Sequence, residues 1–196
     1  MPQGHQGTRN RAVALIALGA NAASAEGGPE DTLRAAIAEL AEATGETPTV
    51  SHLYRTPAFP PGAGPDFVNA ALRLETTLAA PDLLALLHRI EAAHGRERKV
   101  RWGQRSLDLD LIALGDAVLP DVAGWRRWHD LDAAAQPVQA PDRLILPHPR
   151  LQDRAFVLVP LADVAPDWRH PVLGLSVAQM MAARPETERA EVVPLD

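Results

Sequence analysis

Apolar and polar positions change their period several times along the chain, and each change marks an element. Residues 12–18 are apolar at every position, the pattern of a strand buried on both faces, and run into a Gly19-Ala20-Asn21 turn. Pro29, Glu30 and Asp31 then open a helix whose apolar residues Leu33, Ala36, Ile37, Leu40 and Ala41 fall at helical spacing and which Gly45 ends. A strand is predicted over roughly 49–55, stopped by Pro57. Three prolines and two glycines make 58–65 a loop. Residues 66–77 alternate, with Phe67, Asn69, Ala71 and Arg73 on one face and Val68, Ala70, Leu72 and Leu74 on the other. Pro81 and Asp82 start a second helix, carrying Leu83, Leu84, Leu87, Ile90 and Glu91, that ends near Gly95. A basic loop, 96–106, leads into a further strand, 107–114.

This order predicts an α+β fold: a ferredoxin-like βαββαβ core, an antiparallel sheet with helices packed on one face. Beyond it, 115–142 reads as a long excursion with a short helix at 124–135. A short edge strand follows at 144–146, and short helices at 151–164 and 175–183. Residues 12–183 thus form a single domain, flanked by a disordered extension at 1–11 and a loose tail at 184–196.

Composition narrows the function classes. A chain of 196 residues supports one well-buried domain. Its net charge of −6 argues against a nucleic-acid binder, which needs a basic face. The absence of cysteine excludes disulfides and cysteine-ligated zinc and fits a cytoplasmic location. No apolar run reaches the ~18–20 residues of a membrane span. Arg9 and Arg11 before the apolar run, with Ala23-Ser24-Ala25 after it, also fit a secretory leader, which competes with the first-strand assignment.

Chemistry concentrates around Leu107-Asp108-Leu109-Asp110-Leu111. On a strand the two aspartates share a face, roughly 6–7 Å apart, and repel unless a cation lies between them. Mg²⁺ suits such a pair, because it takes one or two carboxylates and completes its shell with water and substrate phosphates. A solvated acidic strand face explains the same alternation. The preceding segment bears on that choice: Arg96, Arg98, Lys99, Arg101 and Arg105 crowd into a chain whose only lysine is Lys99. Arginine forks opposite a carboxylate pair fit a polyphosphate, although a solvated basic loop is the simpler alternative. Trp102 within that loop suggests a side chain that closes over a ligand. His148, fixed between Pro147 and Pro149, could donate to a phosphate or merely cap a turn. Asn69 beside Phe67 could cradle a flat heterocycle or sit in the core. No P-loop or Rossmann glycine motif occurs.

Taken together, these segments resemble the 6-hydroxymethyl-7,8-dihydropterin pyrophosphokinase family. The matching pieces are Ala17-Leu18-Gly19-Ala20-Asn21, Ser51-His52-Leu53-Tyr54-Arg55-Thr56-Pro57, Asp66-Phe67-Val68-Asn69-Ala70-Ala71 and Gly95-Arg96-Glu97-Arg98. Further along come Arg101-Trp102-Gly103-Gln104-Arg105-Ser106-Leu107-Asp108-Leu109-Asp110, Pro147-His148-Pro149-Arg150 and Arg154-Ala155-Phe156-Val157-Leu158. The resemblance covers 12 to about 166. It implies helices on both faces of the sheet and transfer of pyrophosphate from ATP to the pterin hydroxymethyl group, with release of AMP, in folate biosynthesis. It implies Asp108 and Asp110 as ligands of two Mg²⁺ ions and Arg96, Arg98 and Arg105 as catalytic phosphate contacts. Glu91, His148 and Arg154 fall at nucleotide positions, and Trp102 in a catalytic loop touching both substrates. Thr56, Pro57, Asn69 and Phe156 fall at the pterin, with Phe156 stacking on the ring.

Several positions depart from the family pattern. Ala20 replaces a serine, Phe67 stands where tyrosine is common, Ala58 and Phe59 alter the edge of the pterin loop, and the excursion is long. A pterin- or nucleotide-binding relative without turnover is the alternative, and another metal-dependent phosphotransferase a third; the intact Asp108/Asp110 pair favours catalysis. Protein partners are not legible, and 118–140 is the one stretch that suggests a partner surface.

Overall fold

The computed structural model describes residues 11–58, 64–95, 105–132, 135 and 139–195. The apolar run becomes β1, Ala12–Ala20, in the interior of the sheet, which overturns the secretory-leader alternative for this segment. It lies antiparallel to both β4, Phe67–Thr76, and β5, Asp108–Leu114. With β2 (Thr49–Val50), β3 (Leu53–Thr56) and β6 (Val193–Leu195), they form one sheet of order β5-β1-β4-β3-β6, β2 pairing with β4. In the first four positions this is the strand order of the βαββαβ core.

Alternation along β1 explains the layering. Ala14, Ile16 and Leu18 pack beneath α1, Pro29–Thr44, and α2, Ala80–Ala93. Leu15 and Ala17 face the other way, toward α4 (Ala155–Val164) and α5 (Val177–Ala182). Helices therefore cover both faces, correcting the one-face arrangement expected from periodicity and agreeing with the layering the family resemblance implied. Alternation decides the chemistry of β5 in the same way. Leu107, Leu109 and Leu111 join the core under α1 and α2, so Asp108 and Asp110 point to the α4 side.

Three further expectations change. The single strand at 49–55 is two, because Ser51 Oγ accepts the Ala71 N–H at 2.9 Å and the His52 N–H turns to the Asp163 carboxylate at 3.1 Å. Side chains take over part of the ladder there, beside the backbone bond from the Ser51 N–H to the Ala71 carbonyl at 2.9 Å. The tail at 184–196 is not loose: α6, Glu186–Ala190, leads into β6, which covers the edge of β3 while Val192 packs against Tyr54 and Ala155. The excursion helix, α3, is Val122–His129, started by Asp121 accepting the Gly124 N–H at 2.7 Å. The expected extension at 1–11 lies outside the described residues except for Arg11, which pairs with Glu46 and Glu75.

Candidate active site

The site grows from one row of the sheet. Gly19 stands in register with Asn69 of β4 on one side and Asp108 of β5 on the other. Neighbouring strands are about 4.8 Å apart, so amide and carboxylate stand roughly 10 Å apart with glycine between them. Gly19 must be small: a Cβ there would come within 2.9 Å of Asn69 Oδ1. The next row is Ala71, Ala17 and Asp110. The floor between the polar ends is therefore glycine and alanine, low enough for a flat ligand.

The amide end is locked. Asn69 Nδ2 donates to Thr56 Oγ1 at 2.7 Å, and each residue is only 6% exposed. This turns Asn69 Oδ1 over Gly19 as an acceptor. Tyr54, opposite Asn69 on β3, donates its hydroxyl to Asp163 of α4 at 2.8 Å. Burial, with the Asp163 carboxylate adding, pushes that phenol up to about 12. The same carboxylate takes the His52 backbone N–H, so β3 is bound to the far end of α4. At the near end of α4, Ala155 packs on Tyr54, and Phe156 presents a ring that is 41% exposed. Arg154 lies 5.8 Å from the centre of that ring. Pro57 follows Thr56 and is exposed.

The carboxylate end is charged and more open. The side chains of Asp108 and Asp110 are 21% and 41% exposed. Arg105 pairs with Asp108, and Arg154 lies 3.9 Å from Asp110. The backbone N–H of His148 donates to the Ile112 carbonyl at 2.8 Å, which lays its loop along β5. Its Nδ1 accepts the Arg150 N–H at 3.1 Å, leaving Nε2 to carry the proton of the neutral ring. Burial, together with Arg154 and Arg150 and against Asp108, pushes this imidazole down to about 3. His148 is thus a neutral donor among arginines.

Glu91, expected at the nucleotide, is 2% exposed and accepts the Leu109 N–H at 2.7 Å. It fixes the strand that carries both aspartates. Arg96, Arg98 and Trp102 lie outside the described residues.

Two contributors escaped sequence reasoning. Asn21 ties the site's loops together: its Oδ1 accepts the Arg105 N–H at 2.8 Å, its N–H reaches the Arg105 carbonyl at 2.9 Å, and its Nδ2 donates to the Pro65 carbonyl at 3.3 Å. A buried amide after a Gly-containing turn was the available signal. Asp163 gave none, because its partners lie more than a hundred residues away.

The donor set fits Mg²⁺. Among the described residues no cluster of three or more His, Cys, Asp or Glu side chains could hold a metal. Two hard carboxylates beside arginines match an ion that takes its other ligands from water and phosphate.

Residues 15–166 match the family model described as 7,8-dihydro-6-hydroxymethylpterin-pyrophosphokinase (HPPK). A 2-amino-4-hydroxy-6-hydroxymethyldihydropteridine pyrophosphokinase of Synechocystis is 41% identical over 86% of this chain and 74% of its own length. The protein of that name from Pseudomonas aeruginosa is 40% identical over 87% and 90%. In fold, the chain is similar to Plasmodium falciparum HPPK-DHPS A437G crystallised with pteroate, with a TM-score of 0.60 at 12% identity. It is covered over 89% of its length and spans 43% of that larger chain. With Asn69, Gly19, Asp108 and Asp110 aligned across three strands inside the matched span, this chain belongs to the 7,8-dihydro-6-hydroxymethylpterin-pyrophosphokinase family.

Proposed function

We propose that the chain transfers pyrophosphate from ATP to the hydroxymethyl oxygen of 6-hydroxymethyl-7,8-dihydropterin, releasing AMP. The observation that carries this is the row Asn69–Gly19–Asp108, which sets an amide acceptor and a carboxylate at the two ends of a smooth floor. The pterin lies over Gly19 with an N–H edge on Asn69 Oδ1, beside Thr56 and Pro57. Phe156, large and exposed at the head of α4, stacks on the ring.

Asp108 and Asp110 hold Mg²⁺, two ions in this reading. The bound cation supplies charge neutralisation and polarises phosphoryl oxygens. Arg105 and Arg154, paired with the aspartates in the protein alone, turn to the phosphates when the carboxylates take the cation. His148 adds a neutral N–H, which binds phosphate oxygen without titrating near pH 7. The family resemblance assigns Arg96, Arg98 and Trp102 to the phosphates, and Glu91 contributes by anchoring β5 through the Leu109 N–H. The pterin hydroxyl oxygen attacks the β-phosphorus and gives up its proton to water, the bond to the α-phosphate oxygen breaks, and AMP departs with those electrons. Positioning and charge stabilisation do the work, and no protein nucleophile takes part.

Among the described residues no helix is long and apolar enough to cross a membrane. We place the activity in the cytoplasm, where ATP is supplied, with ATP and the pterin as its partners and no nucleic acid. Incubation with ATP, Mg²⁺ and the pterin tests this. AMP that appears only with all three present is the expected result; nucleotide binding without AMP would reduce the chain to a binding relative.

A further inference from the structure

The excursion after β5 is tied down at four points. Trp168 Nε1 donates to the Gly115 carbonyl at 3.3 Å. Leu119 and Leu146 exchange backbone hydrogen bonds of 2.8 and 3.2 Å. Trp125, 1% exposed on α3, donates its indole N–H to the Pro147 carbonyl at 2.7 Å. Arg150 Nη2 reaches the Leu131 carbonyl at 3.4 Å. Three of the four ties end within two residues of His148.

We infer that Trp125 is a positioning residue for the nucleotide contact made by His148, and that the excursion from Gly115 to Leu131 is the brace holding that loop. The geometry lies in one peptide unit. The Pro147 carbonyl and the His148 N–H belong to the same rigid plane. Trp125 grips the oxygen end, and the Ile112 carbonyl, 2.8 Å from the His148 nitrogen, grips the other. A plane held at both ends cannot rotate, which fixes the direction in which the His148 side chain leaves the backbone. Proline offers no N–H, so its carbonyl is the only backbone handle at position 147. The indole is itself fixed: His129 stacks on it at 4.6 Å and 28°, and His170 meets it edge-on at 4.9 Å and 61°.

The inference rests on His148 contacting the nucleotide, so the test separates the two claims. Dissociation constants for Mg²⁺ and a non-hydrolysable ATP analogue are measured by calorimetry on the whole chain, with KM for each substrate. Thermal unfolding confirms that each variant is folded. His148→Ala should weaken nucleotide binding; no change there would remove the His148 assignment and this inference with it. Trp125→Phe keeps a ring and loses the N–H. It should weaken nucleotide binding about tenfold and leave the pterin KM within about twofold. Thr44→Val loses a comparable side-chain bond to a carbonyl, 2.8 Å to Leu40 at the end of α1 and outside the brace, and should leave both constants unchanged. Nucleotide affinity unchanged in folded Trp125→Phe, or lost equally in Thr44→Val, would overturn the brace. Should Trp125→Phe fail to fold, His129→Ala decides: it removes the stacked ring, keeps the N–H, and should weaken nucleotide binding about threefold, with no shift overturning the proposal.

Discussion

On the β3–β4 side of Gly19, Asn69 and Thr56 are 6% exposed and joined by a neutral hydrogen bond. On the β5 side, Asp108 and Asp110 keep 21% and 41% of their side chains exposed and hold arginines. In the proposed function the two ends answer different ligands. A heterocycle is recognised by shape and by fixed donors and acceptors, which must be set before it arrives. A polyphosphate with its cations is held by charge, and exposed charges in ion pairs exchange partners at small cost. Rigidity at one end and exchangeable pairs at the other follow from that difference.

The comparison can be broken by substitution, starting where charge matters most. Asp110→Ala should lower the rate of AMP formation on the order of 10³-fold while the unfolding midpoint stays close to wild type. Full activity in that variant would remove the metal assignment. Arg105→Ala should slow transfer roughly 10²-fold and change pterin affinity by less than about threefold. Equal losses in both would make it a substrate anchor.

Asn69→Ala attacks the rigid end. The pterin KM should rise about tenfold with nucleotide affinity intact, since Thr56 loses its partner and the acceptor over Gly19 disappears. A shift in nucleotide affinity of the same size would mean that the two ends are not separable. Gly19→Ala should cost about 1 kcal/mol of stability and raise the pterin KM a few-fold, because the new methyl meets Asn69 Oδ1 at 2.9 Å and Thr56 prevents the amide from moving away.

The smallest effect is a pH dependence of stability beside the brace, where His170 packs on Trp125. His170 is fully buried, its Nδ1 accepts the Val172 and Leu173 N–H groups, and burial with His129 nearby pushes it down to about 4. Its folded-state value lies below the unfolded one, near 6.5, so the unfolded chain takes up protons first. The neutral ring's contribution is therefore present above about pH 6.5 and is lost as pH falls toward 4, roughly 1 kcal/mol between pH 7 and pH 5.5. Urea midpoints at the two pH values measure it. His170→Asn, which can still accept at the same place, should flatten the difference.

The strands and helices of the core were legible because burial imposes a period on each of them. Leu107, Leu109 and Leu111 could only face the core, which left Asp108 and Asp110 together on the other face. The C-terminal strand was not legible. Val193–Leu195 is three residues long and contains Pro194, and what makes it a strand is β3, about 140 positions earlier. The break between β2 and β3 was hidden for a related reason, since His52 leaves the ladder for a carboxylate on α4.

By itself the sequence determined the order of the core elements as far as β5, the shared face of the two aspartates and the motifs that mark the family, because these depend on local period and on residue type at short spacing. Only the tertiary structure decided that Gly19 separates an amide from a carboxylate, that Asn21 ties the Pro65 loop to Arg105, that Glu91 holds β5, and that Trp125 grips the peptide before His148. Each of those contacts joins groups at least 18 positions apart, and only packing of the whole chain brings them within hydrogen-bond range.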